Sequence, residues 1–210
     1  MFLDRDQAGE ELALKLESYK DKEVVVLAIP RGGLPLGFII AKSLKAPLDV
    51  AITKKLGHPN NPEYAVGALS SQGYFINPEA HVSKEYLEQE IERVREVVKA
   101  RNQEYYSITK PHDLTGKWVI IVDDGIATGS TMMATVQLVG KANPKGIVVA
   151  TPVAPPRTIE MLKSSPLIDE VIYLEAPIYF SGVGQFYEDF SAVQDKEAIR
   201  LLEKANASEK

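Results

Sequence analysis

The run Trp118-Val119-Ile120-Ile121-Val122-Asp123-Asp124-Gly125-Ile126-Ala127-Thr128-Gly129-Ser130-Thr131 decides how the rest of the chain is read. Its first five residues are apolar, rich in β-branched side chains and too few for a helix, the pattern of a strand buried on both faces. Asp123 and Asp124 stand where that strand should end, and residues 125–131 combine two glycines with three hydroxyls. Met133, Val136 and Val139 or Gly140 then follow at helical spacing. A strand that ends in such a loop at a helix N-terminus presents backbone N–H groups, a positive dipole end and hydroxyl donors, which together suit a phosphate. Two carboxylates beside a phosphate would repel it unless they serve another part of the ligand. They can accept hydrogen bonds from neutral hydroxyls or help to hold a bridging cation, so a sugar phosphate meets both demands.

Four apolar residues, two acids, a short variable stretch and then Thr-Gly-x-Thr resemble the phosphoribosyl-pyrophosphate (PRPP) motif of the type I phosphoribosyltransferases. The resemblance implies that Asp123 and Asp124 hold the ribose 2- and 3-hydroxyls and that Gly125, Ile126, Ala127, Thr128, Gly129, Ser130 and Thr131 wrap the 5-phosphate. A P-loop is excluded, because Gly129 follows only three residues after Gly125 and no lysine comes next. A corner in which one acid caps the helix and the glycines turn the chain would need neither the second acid nor the Thr-Gly-Ser-Thr run.

Residues 23–29 read as another buried strand, ending in Pro30-Arg31-Gly32-Gly33 ahead of a helical stretch over residues 36–44. Arginine offers a planar fork of donors for phosphate oxygens, and paired glycines let backbone approach a ligand closely. Ligands of open α/β sheets gather beyond the C-terminal strand ends, so this loop and the Asp123 loop are expected on one edge. In type I enzymes this is the place of the pyrophosphate loop, often with a non-proline cis peptide, which implicates Arg31, Gly32 and Gly33. A core strand over residues 47–52 leads to Lys54 and Lys55, then to Gly57, His58, Pro59, Asn60 and Asn61, the composition of a mobile cationic loop. The resemblance puts Lys54 and Lys55 on the loop that closes over pyrophosphate; His58 reads as a surface loop residue.

The whole chain is consistent with one small domain. Its 210 residues are enough for a single sizeable core. With 24 basic against 29 acidic residues, the net charge of −5 gives no general attraction to nucleic acid or an anionic membrane. Cysteine is absent from the sequence, which removes disulfides, thiolate metal sites and a cysteine nucleophile. The first residues lack the basic start and apolar core of a signal peptide, and no stretch approaches a membrane span, so a cytoplasmic location is expected.

Beyond these loops, residues 6–19 predict a helix with a packing role, residues 65–68 and 74–76 a hairpin, and residues 83–106 a long helix with Leu87, Ile91, Val94 and Val98 on one face. Between residues 84 and 110 six basic residues balance six acidic ones, so this helix is not a nucleic-acid surface. Its stripe suits packing on the sheet or on a second subunit. Strands at 146–151 and 171–174, a helix from Pro155-Pro156-Arg157 to Lys163 and a last helix over 196–204 complete the pattern. Strands alternating with helices demand a parallel sheet of right-handed crossovers, an open doubly wound α/β fold with a small hood and an inserted long helix. The expected organisation is one domain over 1–210, with a core at about 23–175, an insertion at about 60–110, a hood region at about 175–205 and a frayed end at 208–210.

In the hood region, Phe180, Phe186 and Tyr187 are the aromatic candidates to stack on a planar acceptor. The function implied is Mg2+-dependent transfer of the 5-phosphoribosyl group from PRPP to a nitrogen acceptor, expected to be a nucleobase, by a homodimeric enzyme. Mg2+ would be held mainly through PRPP, with Asp123 and Asp124 as candidate protein ligands. The general base and acceptor are left open. Arg-Gly-Gly resembles xanthine-using members, Ala127 before Thr-Gly resembles adenine-using ones, and Glu63 and Glu188 are the weak candidates for a base. A PRPP-sensing regulator of the same fold is the alternative reading, although no appended nucleic-acid-binding region is evident. On the ribose assignment, Asp124→Asn is expected to weaken PRPP binding and keep the fold.

Overall fold

The computed structural model describes residues 1–71, 73–77, 80–107 and 109–207, and of residues 62 and 63 the backbone alone. In chain order it builds α1 (Arg5–Lys15), β1 (Val24–Ala28), α2 (Gly33–Leu44), β2 (Leu48–Val50), β3 (Lys54–His58), β4 (Asn61–Ser70), β5 (Gly73–Ile76), α3 (Lys84–Tyr105), β6 (Trp118–Val122), α4 (Ser130–Gly140), β7 (Gly146–Val153), α5 (Pro156–Lys163), β8 (Glu170–Glu175) and α6 (Asp195–Asn206). The end of the chain at 208–210, Glu63 as a side chain and Gln72 in the expected hairpin turn lie outside the described residues.

Five strands form a parallel sheet in the order β2-β1-β6-β7-β8. Period-two alternation explains why β1 and β6 contain almost no polar side chain. Val24, Val26, Ala28, Ile120 and Val122 join one core, with Leu12, Leu36 and Ile40 of α1 and α2 and Leu202 of α6. Val25, Leu27, Val119 and Ile121 join the other, with Met132 and Val136 of α4 and Ile159 and Leu162 of α5. A strand sandwiched between two helical layers must be apolar on both faces, and each such valine or isoleucine contributes about 1.5–3 kcal/mol of burial. The chain leaves β1 toward β2 on one side and returns to β6 on the other, so the strand order reverses between β1 and β6. Their adjacent C-terminal ends form the crevice where α/β sheets place ligands.

The hairpin expected over residues 65–68 and 74–76 is present as β4 and β5, but residues 51–64 differ from expectation. The segment bearing Lys54 and Lys55 is not a loop but strand β3, paired antiparallel with β4, which pairs in turn with β5. Leu56 and Val66 are fully buried and anchor this small sheet, while register shifts on both sides of Gly57 absorb the irregular residues that read as a loop. Gly, Pro and Asn here mark a bulge and a tight turn of a hairpin. The long helix lies where expected, with Ser83 as its N-cap. Of the two surfaces open to its apolar stripe, the structure shows packing on the small sheet. Val94 and Val98 are buried there, Tyr86 Oη donates to the Gly57 carbonyl at 2.6 Å, and Tyr106 Oη reaches Asp49 Oδ1 on β2 at 2.6 Å. Among the described residues, no helix is long and apolar enough to cross a membrane.

Candidate functional site

The crevice is built by two loops that touch. Ile29 N–H donates to the Val122 carbonyl at 2.8 Å, carrying the β1–β6 pairing to the point where both strands let go. After β1 the Pro30–Arg31 peptide is cis, and Gly33 N–H returns to Ile29 O at 3.0 Å to start α2. A side chain on Gly32 would run into the Asp124 carboxylate, and one on Gly33 into the Val122 carbonyl and Asp123 backbone. The Gly32-Gly33 pair is therefore required by the neighbouring loop, which occupies the space two Cβ atoms would need.

After β6, Ile126 is buried and its N–H donates to Val153 O at 2.9 Å, while Thr158 Oγ1 of α5 donates to Ala127 O at 2.6 Å. Gly125 has Val183 directly against it. Gly129, at φ +77°, is the left-handed N-cap of α4 and brings no side chain to it. Thr128 and Thr131 are exposed, and Thr128 Oγ1 lies 3.1 Å from Ser130 Oγ. The first turn of α4 thus offers backbone N–H groups and three hydroxyls, an arrangement suited to an anion. Thr128, Gly129 and Ser130 also line a cleft of about 850 Å³ whose other walls include Tyr64 and Phe75 of the small sheet, Met133 of α4 and Arg157 of α5.

The two acids differ in their surroundings. Asp124 is buried, and its Oδ2 accepts from Arg5 Nε of α1 at 2.8 Å, with both side chains about nine-tenths covered. Its carbonyl accepts from Tyr187 Oη at 2.6 Å. Asp123 keeps part of its surface open and accepts the Asp124 N–H at 2.9 Å. Burial, and then the Asp124 charge beside it, raise the Asp123 carboxyl well above the ordinary carboxylate range.

The other expected residues are distributed around this centre. Arg31 is exposed, and its Nη1 lies 3.4 Å from Asp195 Oδ2 at the start of α6, while Arg101 Nη1 of α3 donates to Asp195 Oδ1 at 2.6 Å. Burial tends to raise the Asp195 carboxyl, but the Arg101 hydrogen bond and the Arg101 and Arg31 charges outweigh it and hold the group below the usual range. Lys54 is exposed and Lys55 half-buried at the start of β3, four and five residues beyond the end of β2. Phe180 and Phe186 pack against each other with ring centroids 5.3 Å apart. Tyr187 is buried and bound through its hydroxyl to the Asp124 carbonyl; Ile178 and Tyr179, at 84% and 89% exposure, are the exposed large apolar side chains of that segment. His58 stacks edgewise on Tyr64, and Glu188 is exposed.

Residues 4–174 match the family model described as a phosphoribosyl transferase domain. The chain belongs to this family. The crystal structure of TT1426 from Thermus thermophilus is 37% identical, with a TM-score of 0.91 and coverage of 97% of this chain and 98% of that one. A protein of Mycobacterium tuberculosis, provisionally named a phosphoribosyl transferase, is 37% identical over 98% of this chain and 47% of its own length. The chain thus spans about half the length of the curated relatives it matches. A hypothetical protein from Neisseria gonorrhoeae, solved with bound ppGpp, shares 14% identity and a TM-score of 0.51 over 97% of this chain, a likeness of fold.

The family match begins before β1, so α1 lies within the phosphoribosyltransferase domain. Sequence reasoning assigned α1 to packing and missed Arg5, as it missed Asp195. No local signal marks either one, because each meets its partner only after the chain has crossed the sheet.

Proposed function

We propose that this phosphoribosyltransferase-family chain transfers the 5-phosphoribosyl group of PRPP to a nitrogen acceptor, a nucleobase in the first instance, with release of pyrophosphate. The observation that carries the reading is the contact of the two loops at the β1–β6 crevice, where the Asp124 carboxylate fills the space over Gly32. One end of the crevice is the α4 N-terminus, which suits a 5-phosphate; the other is Arg31, which suits a pyrophosphate, with Lys54 and Lys55 at the start of β3 as the further cations proposed for it. An acid pair between two phosphate-binding ends matches a sugar whose hydroxyls need acceptors.

Among the described residues, no group of three or more His, Cys, Asp or Glu side chains is arranged to hold a metal ion. That donor set fits Mg2+ held chiefly by PRPP oxygens, with Asp123 the available carboxylate, since Asp124 is engaged by Arg5. When bound, Mg2+ would neutralise charge on the departing pyrophosphate. The chain's own part is to fix the ribose through Asp123, seat the 5-phosphate on residues 125–131, and place Arg31, Lys54 and Lys55 where negative charge grows as the C1–O bond breaks. The acceptor nitrogen then attacks C1 as pyrophosphate leaves. Phe180 and Phe186 remain the proposed stacking surface for the acceptor, in a cytoplasmic homodimer.

The test is pyrophosphate release from PRPP with Mg2+ across purines, pyrimidines and simple amines. Release that depends on one acceptor is the expected result and names the substrate. PRPP binding without release for any acceptor would replace transfer with sensing.

A further inference from the structure

We infer that Arg5 is a positioning residue that divides the acid pair, committing Asp124 to the scaffold and leaving Asp123 as the carboxyl that meets the ribose hydroxyls. This role rests on the PRPP reading of the site.

Four observations carry it. First, Arg5 is fixed before it reaches Asp124: Asp4 caps α1 through Gln7 N–H at 2.9 Å, which sets Arg5 as its first helical residue. Second, the guanidinium is held on three sides. Nε donates to Asp124 Oδ2 at 2.8 Å, Nη1 donates to Ser191 O at 2.8 Å, and the group lies 4.0 Å from the Phe190 ring centroid. Third, the segment supplying Phe190 and Ser191 is tied to the same end of the chain. Phe2 N–H donates to Phe186 O at 2.7 Å, and Glu188 and Asp189 N–H donate to Phe2 and Leu3 carbonyls at 2.8 and 2.9 Å. Fourth, the Asp124 carboxylate has no room to swing toward the first loop, because it already abuts Gly32.

A charge-assisted bond to a planar, stacked guanidinium fixes a carboxylate in place. Asp4, Asp6, Asp189 and Glu197 line the pit where Arg5 lies, and of the residues that line it Arg5 alone is basic. Removing Arg5 therefore leaves the Asp124 carboxylate without its charged partner.

The experiment measures PRPP affinity with Mg2+ at pH 7 for the wild type, Arg5→Gln, Arg5→Lys, Asp123→Asn and the double variant Arg5→Gln/Asp124→Asn, with Tm recorded for each. Arg5→Gln is expected to lose about tenfold or more in affinity, because the Asp124 carboxylate is no longer held in place. The double variant, whose second position is neutral and needs no charged partner, should regain most of that affinity. Arg5→Lys keeps the charge without the stacked fork and should fall between wild type and Arg5→Gln, which keeps the test open if Arg5→Gln folds poorly. Asp123→Asn should bind PRPP weakest of all. An unchanged affinity in Arg5→Gln and Arg5→Lys, or a double variant worse than either change alone, would overturn the positioning role. A wild-type protein that binds no PRPP would instead overturn the donor assignment beneath it.

Discussion

At the residue scale, the adjacent acids Asp123 and Asp124 carry different energetic burdens. Asp124 is neutralised in place by Arg5, whereas Asp123 is raised well above the usual carboxylate range by burial and by its neighbour. An acid whose folded pKa lies above its unfolded value stabilises the fold fully below the unfolded value near 3.8 and loses that contribution as pH rises through the folded pKa. At neutral pH Asp123 is therefore a destabilising group. Asp123→Asn keeps an acceptor for the Asp124 N–H and should raise Tm by about 2–4 °C at pH 7.5, with the gain shrinking to nothing near pH 4. The same variant should lose PRPP binding. Thermal melts across this pH range check the sign, and a lower Tm at pH 7.5 would refute the account. The acid pair was legible from sequence; the difference between its members was not, since it depends on Arg5 arriving from 119 positions away.

At the scale of elements, β1, β6 and β7 declare themselves because each must be apolar on both faces, and that composition is local. The β4–β5 hairpin was also legible, but β3 was not, because it is short, bulged at Gly57 and followed at once by Pro59 and Asn60. Only pairing with β4 and cover from α3 make residues 54–58 a strand. The attachment of α3 to the main domain rests on Asp49, a buried carboxylate on β2 that accepts Tyr106 Oη at 2.6 Å, Val50 N–H at 2.7 Å and His112 N–H at 2.7 Å. Burial raises the Asp49 carboxyl, and these three hydrogen bonds oppose the rise. Tyr106→Phe removes one donor from a buried carboxylate and should cost about 1–3 kcal/mol in urea unfolding. Amide exchange should quicken in the last turns of α3 first. A cost near zero would mean that the helix is held by its apolar stripe alone.

At the scale of the molecule, residues 187–195 join both sides of the site. Tyr187, Phe190 and Ser191 hold Asp124 and its partner Arg5, and Asp195 links Arg31 of the first loop to Arg101 of α3. The Arg31–Asp195 pair is partly exposed and 3.4 Å long, so it adds little to stability, whereas its negative charge competes with any anion for Arg31. Asp195→Asn should change stability by less than about 1 kcal/mol and tighten PRPP binding by about two- to fivefold at low salt. Titrations at two ionic strengths test this, and weaker binding would show that Asp195 aims Arg31 at the ligand. By itself the sequence determined the parallel sheet, its helices and the two glycine-bearing loops, because strand periodicity, turn chemistry and motif spacing act over a few residues. Only the tertiary structure decided that β3 is a strand, that α3 packs on the small sheet, and that Arg5 and Asp195 reach the acid pair and Arg31. Those outcomes depend on side chains far apart in sequence sharing one buried, low-dielectric crevice, where the energy of a charge is set by whichever partner the folded chain brings to it.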